Sequence, residues 1–313
     1  MASGALTLGI IFVTQIIVGI LGNLSLFCHY INSYFTGCRL RTTDLILKHM
    51  IVGNSFSLLC KGVPEAMAAF GWEHFLSDLG CKLLSFLHRV GRGVSIGSIC
   101  LLSILQATTI SPWTSRWAQL KVKAPKYITP SLVLCWILQM LVNVIFPICI
   151  TRKLSDKNVT DYKDFGYCSS IRHNKATDSV FAALLSFPDV VCLGLMLGAS
   201  SCMVLILHRH KQRVRHIRTA NVALRSSPES RATKSILLLV STFVYFYTLS
   251  SIFQAVLALS NNPGTFLVNI TGIMAMLFPA ISPFLLMSHD SSISSLCFAW
   301  IRNVKSPHLW RNM

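Results

Sequence analysis

Fifty-five consecutive residues, from Ser235 to His289, contain no Asp, Glu, Lys or Arg, and neither do the 38 residues before Arg39. Water does not select such runs, because a folded soluble chain needs charged side chains wherever its elements meet solvent. As helix, the later run would reach roughly 80 Å at 1.5 Å per residue, enough for two crossings of a hydrocarbon core about 30 Å thick. The rest of the chain agrees: 53% of its 313 residues are hydrophobic and only 12% are charged. The first apolar stretch, Gly4 to Cys28, covers 25 residues. That exceeds the roughly 7–15 apolar residues of a cleavable signal peptide and is read as the first membrane span.

Apolar segments of spanning length fall at about 4–28, 45–70, 79–110, 127–150, 179–207, 235–259 and 265–287. Inside lipid a backbone can satisfy its polar groups only within its own helix or in a closed barrel. The expectation is therefore an all-α bundle of seven transmembrane helices, with residues 1–290 forming the seven-helix domain and 291–313 a short tail. The second segment is the least apolar, because it holds Lys48, Lys61 and Glu65. The connections 1/2, 3/4 and 5/6 together with the tail hold 17 Lys and Arg, against 6 on the opposite side, where Asp156, Asp161, Asp164 and Asp178 offset four. The positive-inside rule then predicts an extracellular N-terminus and a cytoplasmic C-terminus. Ser227, Pro228 and Glu229 are a helix-start signature, so the 5/6 connection should become helical near residue 228.

The basic excess, 28 Lys and Arg against 11 Asp and Glu, would point to nucleic acid in a soluble protein. Here its position explains it. Residues 208–234 carry Arg209, Lys211, Arg213, Arg215, Arg218, Arg225, Arg231 and Lys234 against Glu229 alone. Topology and lipid attraction account for such a loop, and Arg209, Lys211, Arg213, Arg215 and Arg231 are also candidates for contact with a cytosolic partner.

Of eleven cysteines, Cys81 and Cys168 fall on the side that matures in an oxidising compartment and can pair, tying the 4/5 loop over the bundle. Cys60, Cys100, Cys135 and Cys192 lie within spans and read as small apolar packing residues. Asn158-Val159-Thr160 is a glycosylation sequon on the same outer loop; the matches at Asn23 and Asn269 lie inside spans.

The third span carries His88, Arg89 and Arg92, roughly 10–17 Å along the axis from Cys81. A central arginine costs about 2.5–3.5 kcal/mol on insertion scales, so it faces the bundle interior and finds a partner or a ligand. Two readings fit: the three residues line a binding pocket, or they pair internally with Glu65 or Asp189. In the first, a ligand would present an anionic or strongly accepting group such as sulfate or carboxylate. The candidate ligand contacts are thus His88, Arg89, Arg92, Glu65 and Asp189. Lys61 and Glu65, one turn apart, suit an ion pair, and Asn54 could reach Asn23 on the first span. Pro147, Pro188, Pro279 and Pro283 are expected kink positions.

The chain has no H-E-x-x-H, no G-x-S-x-G, no phosphate-binding glycine loop and no zinc-type Cys/His spacing. It is read as a non-enzyme, with no cofactor and no metal called for. A small transporter would show inverted repeats or charges recurring along a path, and neither is evident.

With the spans placed, HRVGRGVSIGSICLLSILQATTISP from His88 to Pro112 closely resembles the third helix of vomeronasal type-1 receptors. The resemblance continues in GILGN around Asn23, DLILKH at 44–49, KGVPEAMAAFG at 61–71, RHKQ at 209–212, SPESRATKSILLLVSTFV at 227–244 and FPAISPFLLMS at 278–288, and so covers nearly the whole chain. It implies a plasma-membrane receptor for small pheromone-like molecules, acting through an inhibitory-class heterotrimeric G protein. It also implies that Cys81 and Cys168 hold the family's disulfide positions and Asn158 its glycan position. A bitter-taste-type receptor is the alternative within the seven-helix class. Where many rhodopsin-like receptors carry D-R-Y, this chain has Leu105-Gln106-Ala107, and C-W-x-P and N-P-x-x-Y are absent. The activation scheme built on those motifs does not transfer.

Overall fold

The computed structural model describes residues 2–36, 41–72, 75–111, 115–144, 147, 150–152, 162–164, 167–171, 175–217, 228–260 and 264–289. Among them the chain runs α1 (Ala2–Phe35), α2 (Thr42–Ser57), a π-helical turn (Leu58–Gly62), α3 (Val63–Ala69), α4 (Asp78–Ile110), α5 (Ser115–Asn143), β1 (Ile150–Arg152), β2 (Tyr162–Asp164), β3 (Cys168–Ile171), α6 (Lys175–Ile217), α7 (Pro228–Leu259) and α8 (Thr265–His289). Among the described residues five helices are long and apolar enough to cross a membrane: Gly4–Phe35, Asp78–Ile110, Ser186–Arg209, Leu237–Leu257 and Thr265–Met287. The stretch 42–69 is divided by the π turn into shorter pieces, and α5 opens on the basic stretch containing Arg116, Lys121, Lys123 and Lys126.

The apolar segments mark the helix cores, but several helices continue past them. α1 extends to Phe35, α5 begins at Ser115 and α6 runs on to Ile217, because hydropathy detects only the apolar part of a rod whose ends are polar. The fourth segment is corrected at its other end. Its helix stops at Asn143, and Ile150–Arg152 is a strand. Pro147 has no N–H to give the Asn143 carbonyl and disfavours helix in the residue before it, so it lies beyond the helix and does not kink it.

Local chemistry sets the other ends. Ser77 caps α4 by accepting from the Gly80 N–H at 3.1 Å, and Asp44 accepts from the Arg41 N–H at 3.0 Å at the start of α2. α3 ends at Gly71, whose φ of 89° is the left-handed conformation that glycine adopts freely. Several hydroxyls within the rods donate to the carbonyl four residues back, as in Ser55 to Ile51, Ser103 to Ile99 and Thr271 to Leu267.

α4 is the central rod. In its most apolar window 67% of residues are buried, whereas the corresponding window of α6 is 11% buried and turns Phe187, Val190, Leu195 and Leu205 outward. One core cluster joins Leu26, Met50, Ile51, Ile99, Leu132, Met196, Phe243 and Phe278. α2 and α4 touch backbone to backbone. A Cβ on Gly53 would stand 2.6 Å from the Gly91 carbonyl oxygen, and one on Gly91 would stand 2.7 Å from that of Gly53. Only glycine at both positions permits this approach.

Beyond the rods, β1, β3 and β2 form a small antiparallel sheet in that order, pairing Arg152 with Cys168 and Asp164 with Ser169. The expectation of a purely helical chain missed it, because three- and four-residue strands give no readable alternation. A disulfide joins Cys168 on this sheet to Cys81 on α4, with the Cα atoms 6.0 Å apart.

Candidate functional site

Among the described residues the buried charges form two groups. The first group lies under the sheet. Lys61 Nζ is 2.9 Å from Glu65 Oε1, and Glu65 is only 3% exposed. Lys61 stands 5.7 Å from the centre of the Tyr167 ring, one residue before the disulfide. Burial pushes the Tyr167 phenol up from its ordinary range, with Lys61 pulling the other way. Pro64 explains the local backbone. Its ring cannot donate to the Cys60 carbonyl and would collide with it in a regular helix, and the chain relieves this with the π turn over Leu58–Gly62. That turn contains Lys61. Proline was expected to act at four other positions, and this one was not foreseen.

The second group centres on Arg92 of α4. Its Nη1 and Nη2 donate to Ser250 Oγ at 3.1 Å and Ser251 Oγ at 3.2 Å on α7, and its guanidinium carbon lies 4.3 Å from the Tyr247 ring centre. Tyr247 in turn donates its hydroxyl to Asp189 on α6. Asp189 follows Pro188 and stands close enough to interact electrostatically with both Arg92 and Arg89. Behind the guanidinium, Tyr247 stacks on Phe243 at 5.3 Å, and Phe243 meets the edge of Phe278 on α8 at 4.6 Å. A small cavity of about 30 Å³ lies between α2, α4, α7 and α8, with Arg92, Tyr247 and Ser250 on its polar wall and Phe243, Phe246 and Phe278 on its aromatic one.

His88, Arg89 and Arg92 do not act as one cluster. Arg89 Nε donates to Asn143 Oδ1 at 3.0 Å at the end of α5, and Asn143 is held by the Gln139 carbonyl at 2.8 Å. His88 lies near the backbone of Ser57, and its buried Nδ1 has no hydrogen-bond partner among the described residues. Neighbouring residues on a helix diverge by about 100°, enough to send 88 and 89 to different neighbours. Of the five candidate ligand contacts, Arg92 borders the cavity, Asp189 reaches it through Tyr247, Arg89 turns to α5, and Glu65 is engaged by Lys61.

The α2 and α4 wall of the same cavity carries a neutral polar node that includes Asn54 and Ser95. Asn54 Nδ2 donates to Ser282 Oγ at 3.0 Å, and Ser95 Oγ donates to Asn54 Oδ1 at 2.7 Å. Asn23, expected to meet Asn54, instead donates to the Pro279 carbonyl at 3.0 Å. The reason is covalent. Pro283 occupies the position whose N–H would normally bond that carbonyl, so α8 leaves an acceptor that a side chain of α1 fills. The i, i+4 proline pair was legible, but its orphaned carbonyl was not drawn out.

On the basic face, Arg209 is exposed near the end of α6, Lys211, Arg213 and Arg215 continue that helix, and Arg231 lies in the first turn of α7. The side chains of the last four lie outside the described residues, as do Asn158, Ser227 and the segment 291–313.

Residues 6–299 match the family model described as the vomeronasal organ pheromone receptor family. Vomeronasal type-1 receptor 4 of Homo sapiens is 57% identical over 302 residues, covering 96% of this chain and 100% of that protein. Vomeronasal type-1 receptor 3 of Homo sapiens is 48% identical, over 99% of this chain and 100% of that protein. Vomeronasal type-1 receptor 100 of Rattus norvegicus is 30% identical, over 94% and 90%.

Proposed function

The chain belongs to the vomeronasal type-1 receptor family, and we propose that it senses a small anionic ligand in the cavity beside Arg92 and signals to an inhibitory-class heterotrimeric G protein. Membership makes it a multi-pass plasma-membrane pheromone receptor, with a ligand and a G protein as its general partners. The family is one of receptors and not of enzymes, and the bitter-taste and transporter alternatives have no support beside it.

The observation that carries the ligand reading is Arg92 itself. Its direct hydrogen-bond partners at the cavity are two neutral hydroxyls, while the Asp189 carboxylate is engaged by Tyr247. A guanidinium bonds a carboxylate or sulfate about twice as strongly as a neutral acceptor, so the cavity favours an anion over its uncharged analogue. The aromatic wall supplies apolar area for the remainder of a small amphiphile.

The accompanying topology is seven spans, including 45–70 and 127–150, with the N-terminus outside and residues 291–313 as a cytoplasmic tail. The asymmetry of Lys and Arg supports this. Asn158 is then an outer-loop glycan acceptor. Arg209, Lys211, Arg213, Arg215 and Arg231, which crowd the facing ends of α6 and α7, form the inner surface offered to the G protein. Arg89, held on Asn143, adds its positive field at the site.

The test is G-protein nucleotide exchange in reconstituted membranes, comparing 4-phenylbutyrate with 4-phenylbutan-1-ol. Wild-type receptor is expected to prefer the carboxylate, and Arg92→Gln to lose about tenfold of that preference; Arg89→Gln should lose less. Equal response to acid and alcohol, or an unchanged preference in Arg92→Gln, defeats the anion reading.

A further inference from the structure

The bonds around Arg92 also bear on how occupancy of the cavity reaches the inner face, for which the chain lacks the usual motifs. We infer that Tyr247, Ser250 and Ser251 are positioning residues that hold α7 in its resting place through Arg92, and that ligand binding releases them. This rests on the reading of the cavity as the ligand site.

Three observations carry it. Arg92 is a polar link from α4 to α7, and it grips two consecutive serines and the ring one turn away. Positions 247, 250 and 251 are separated by three and four residues, so one guanidinium holds one face of α7. Ser250 is only 2% exposed, so these bonds are made where little water competes. Second, Arg92 and Ser250 both border the cavity, which places the same N–H groups within reach of an occupant. An anionic acceptor outcompetes the hydroxyls for them. Third, releasing Arg92 from the serines does not free α7 from α6, because Tyr247 remains bonded to Asp189.

The Tyr247–Asp189 bond therefore passes the displacement of α7 on to α6. Pro188, immediately before Asp189, withdraws an N–H from the carbonyl at Leu184 and weakens α6 at the level where the pull arrives. The movement is also transmitted sideways. Tyr247 stacks on Phe243, and Phe243 rests on Phe278 of α8, the residue before Pro279. Resting and released arrangements are two packings of one bundle, and the occupant shifts the population between them in proportion to its preference for the released Arg92.

The experiment needs no agonist. Full-length receptor carrying Ser250→Ala with Ser251→Ala is expressed in cells with a G-protein heterotrimer, and ligand-free nucleotide exchange in their membranes is read beside the amount of receptor at the cell surface. Exchange is expected to rise about three- to tenfold over wild type, reflecting two lost hydrogen bonds. Adding Tyr247→Phe, which keeps the ring but removes the bond to Asp189, should abolish the rise. Ser251→Thr, which keeps a hydroxyl, should leave exchange at the wild-type level. A residue of merely structural value would lower surface level and exchange together. Exchange at or below wild type in the double alanine variant overturns the proposal, and if that variant does not reach the surface, the same result in Ser251→Ala alone does so. A rise that survives Tyr247→Phe overturns the coupling to α6. Flat exchange in the serine variants beside a lost acid preference in Arg92→Gln removes the trigger and leaves the anion site standing, whereas raised exchange without any acid preference does the reverse.

Discussion

Lys61 and Arg92 are both cations inside the bundle, yet their surroundings differ in kind. Lys61 has its counter-ion one turn away on its own stretch of chain, at 2.9 Å, and an aromatic ring from the disulfide-anchored sheet closes over it. Arg92 is held by hydroxyls and a ring contributed by a different helix, beside an open volume. The first charge is neutralised locally and needs nothing further. The second is neutralised at a distance, through Tyr247 and Asp189, and leaves its strong donors on weak acceptors. A buried cation with a carboxylate in contact is architecture, and one held by neutral groups from a movable neighbour is available for exchange.

The comparison breaks most sharply at Glu65. Glu65→Gln leaves Lys61 buried without its counter-ion and is expected to cost about 3–5 kcal/mol. Thermal denaturation of the detergent-solubilised receptor measures it. Lys61→Met combined with Glu65→Leu, which removes both charges at similar volume, should restore most of the loss. If the single variant is as stable as wild type, the pair is not the closed unit described.

Cys168→Ser is the next largest, at about 2–4 kcal/mol. Because it unseats Tyr167 from Lys61 and does not touch Arg92, the same denaturation assay should show an additive loss with Ser250→Ala and a non-additive one with Lys61→Met. Coupling to Ser250 instead would mean that the two cation sites are not independent. The smallest effect belongs to the neutral node. Ser282→Ala removes one interhelical bond to Asn54 and should cost about 0.6 kcal/mol, with ligand-free exchange unchanged.

The sequence made the two sites unequally visible. Charges inside apolar runs are conspicuous, so Lys61, Glu65, His88, Arg89, Arg92 and Asp189 could all be named before any coordinates. The pairing of Lys61 with Glu65 followed from helical spacing alone. Arg92's partners did not, because Tyr247, Ser250 and Ser251 lie in the longest charge-free run of the chain and look like ordinary residues of a lipid-spanning helix. Their spacing of three and four was the available signal. It had no meaning until α7 was known to face α4. Likewise the helix ends were legible where a cap or proline wrote them, as at Pro228, and were lost where a rod passed gradually from apolar to polar, as in α5 and α6.

The glycines at 53 and 91 bear on which parts of the receptor can move. With each carbonyl pressed where the other residue's side chain would begin, α2 and α4 meet at this crossing without rotatable atoms between them. Sliding across such a seam requires the backbones themselves to ride over one another, so the pair behaves as a keel. The work that a bound odorant-sized molecule can do is a few kilocalories at most. It is then spent on the planks fastened to that keel by hydroxyls and rings, and the direction of signalling is settled by where the protein has no side chains at all.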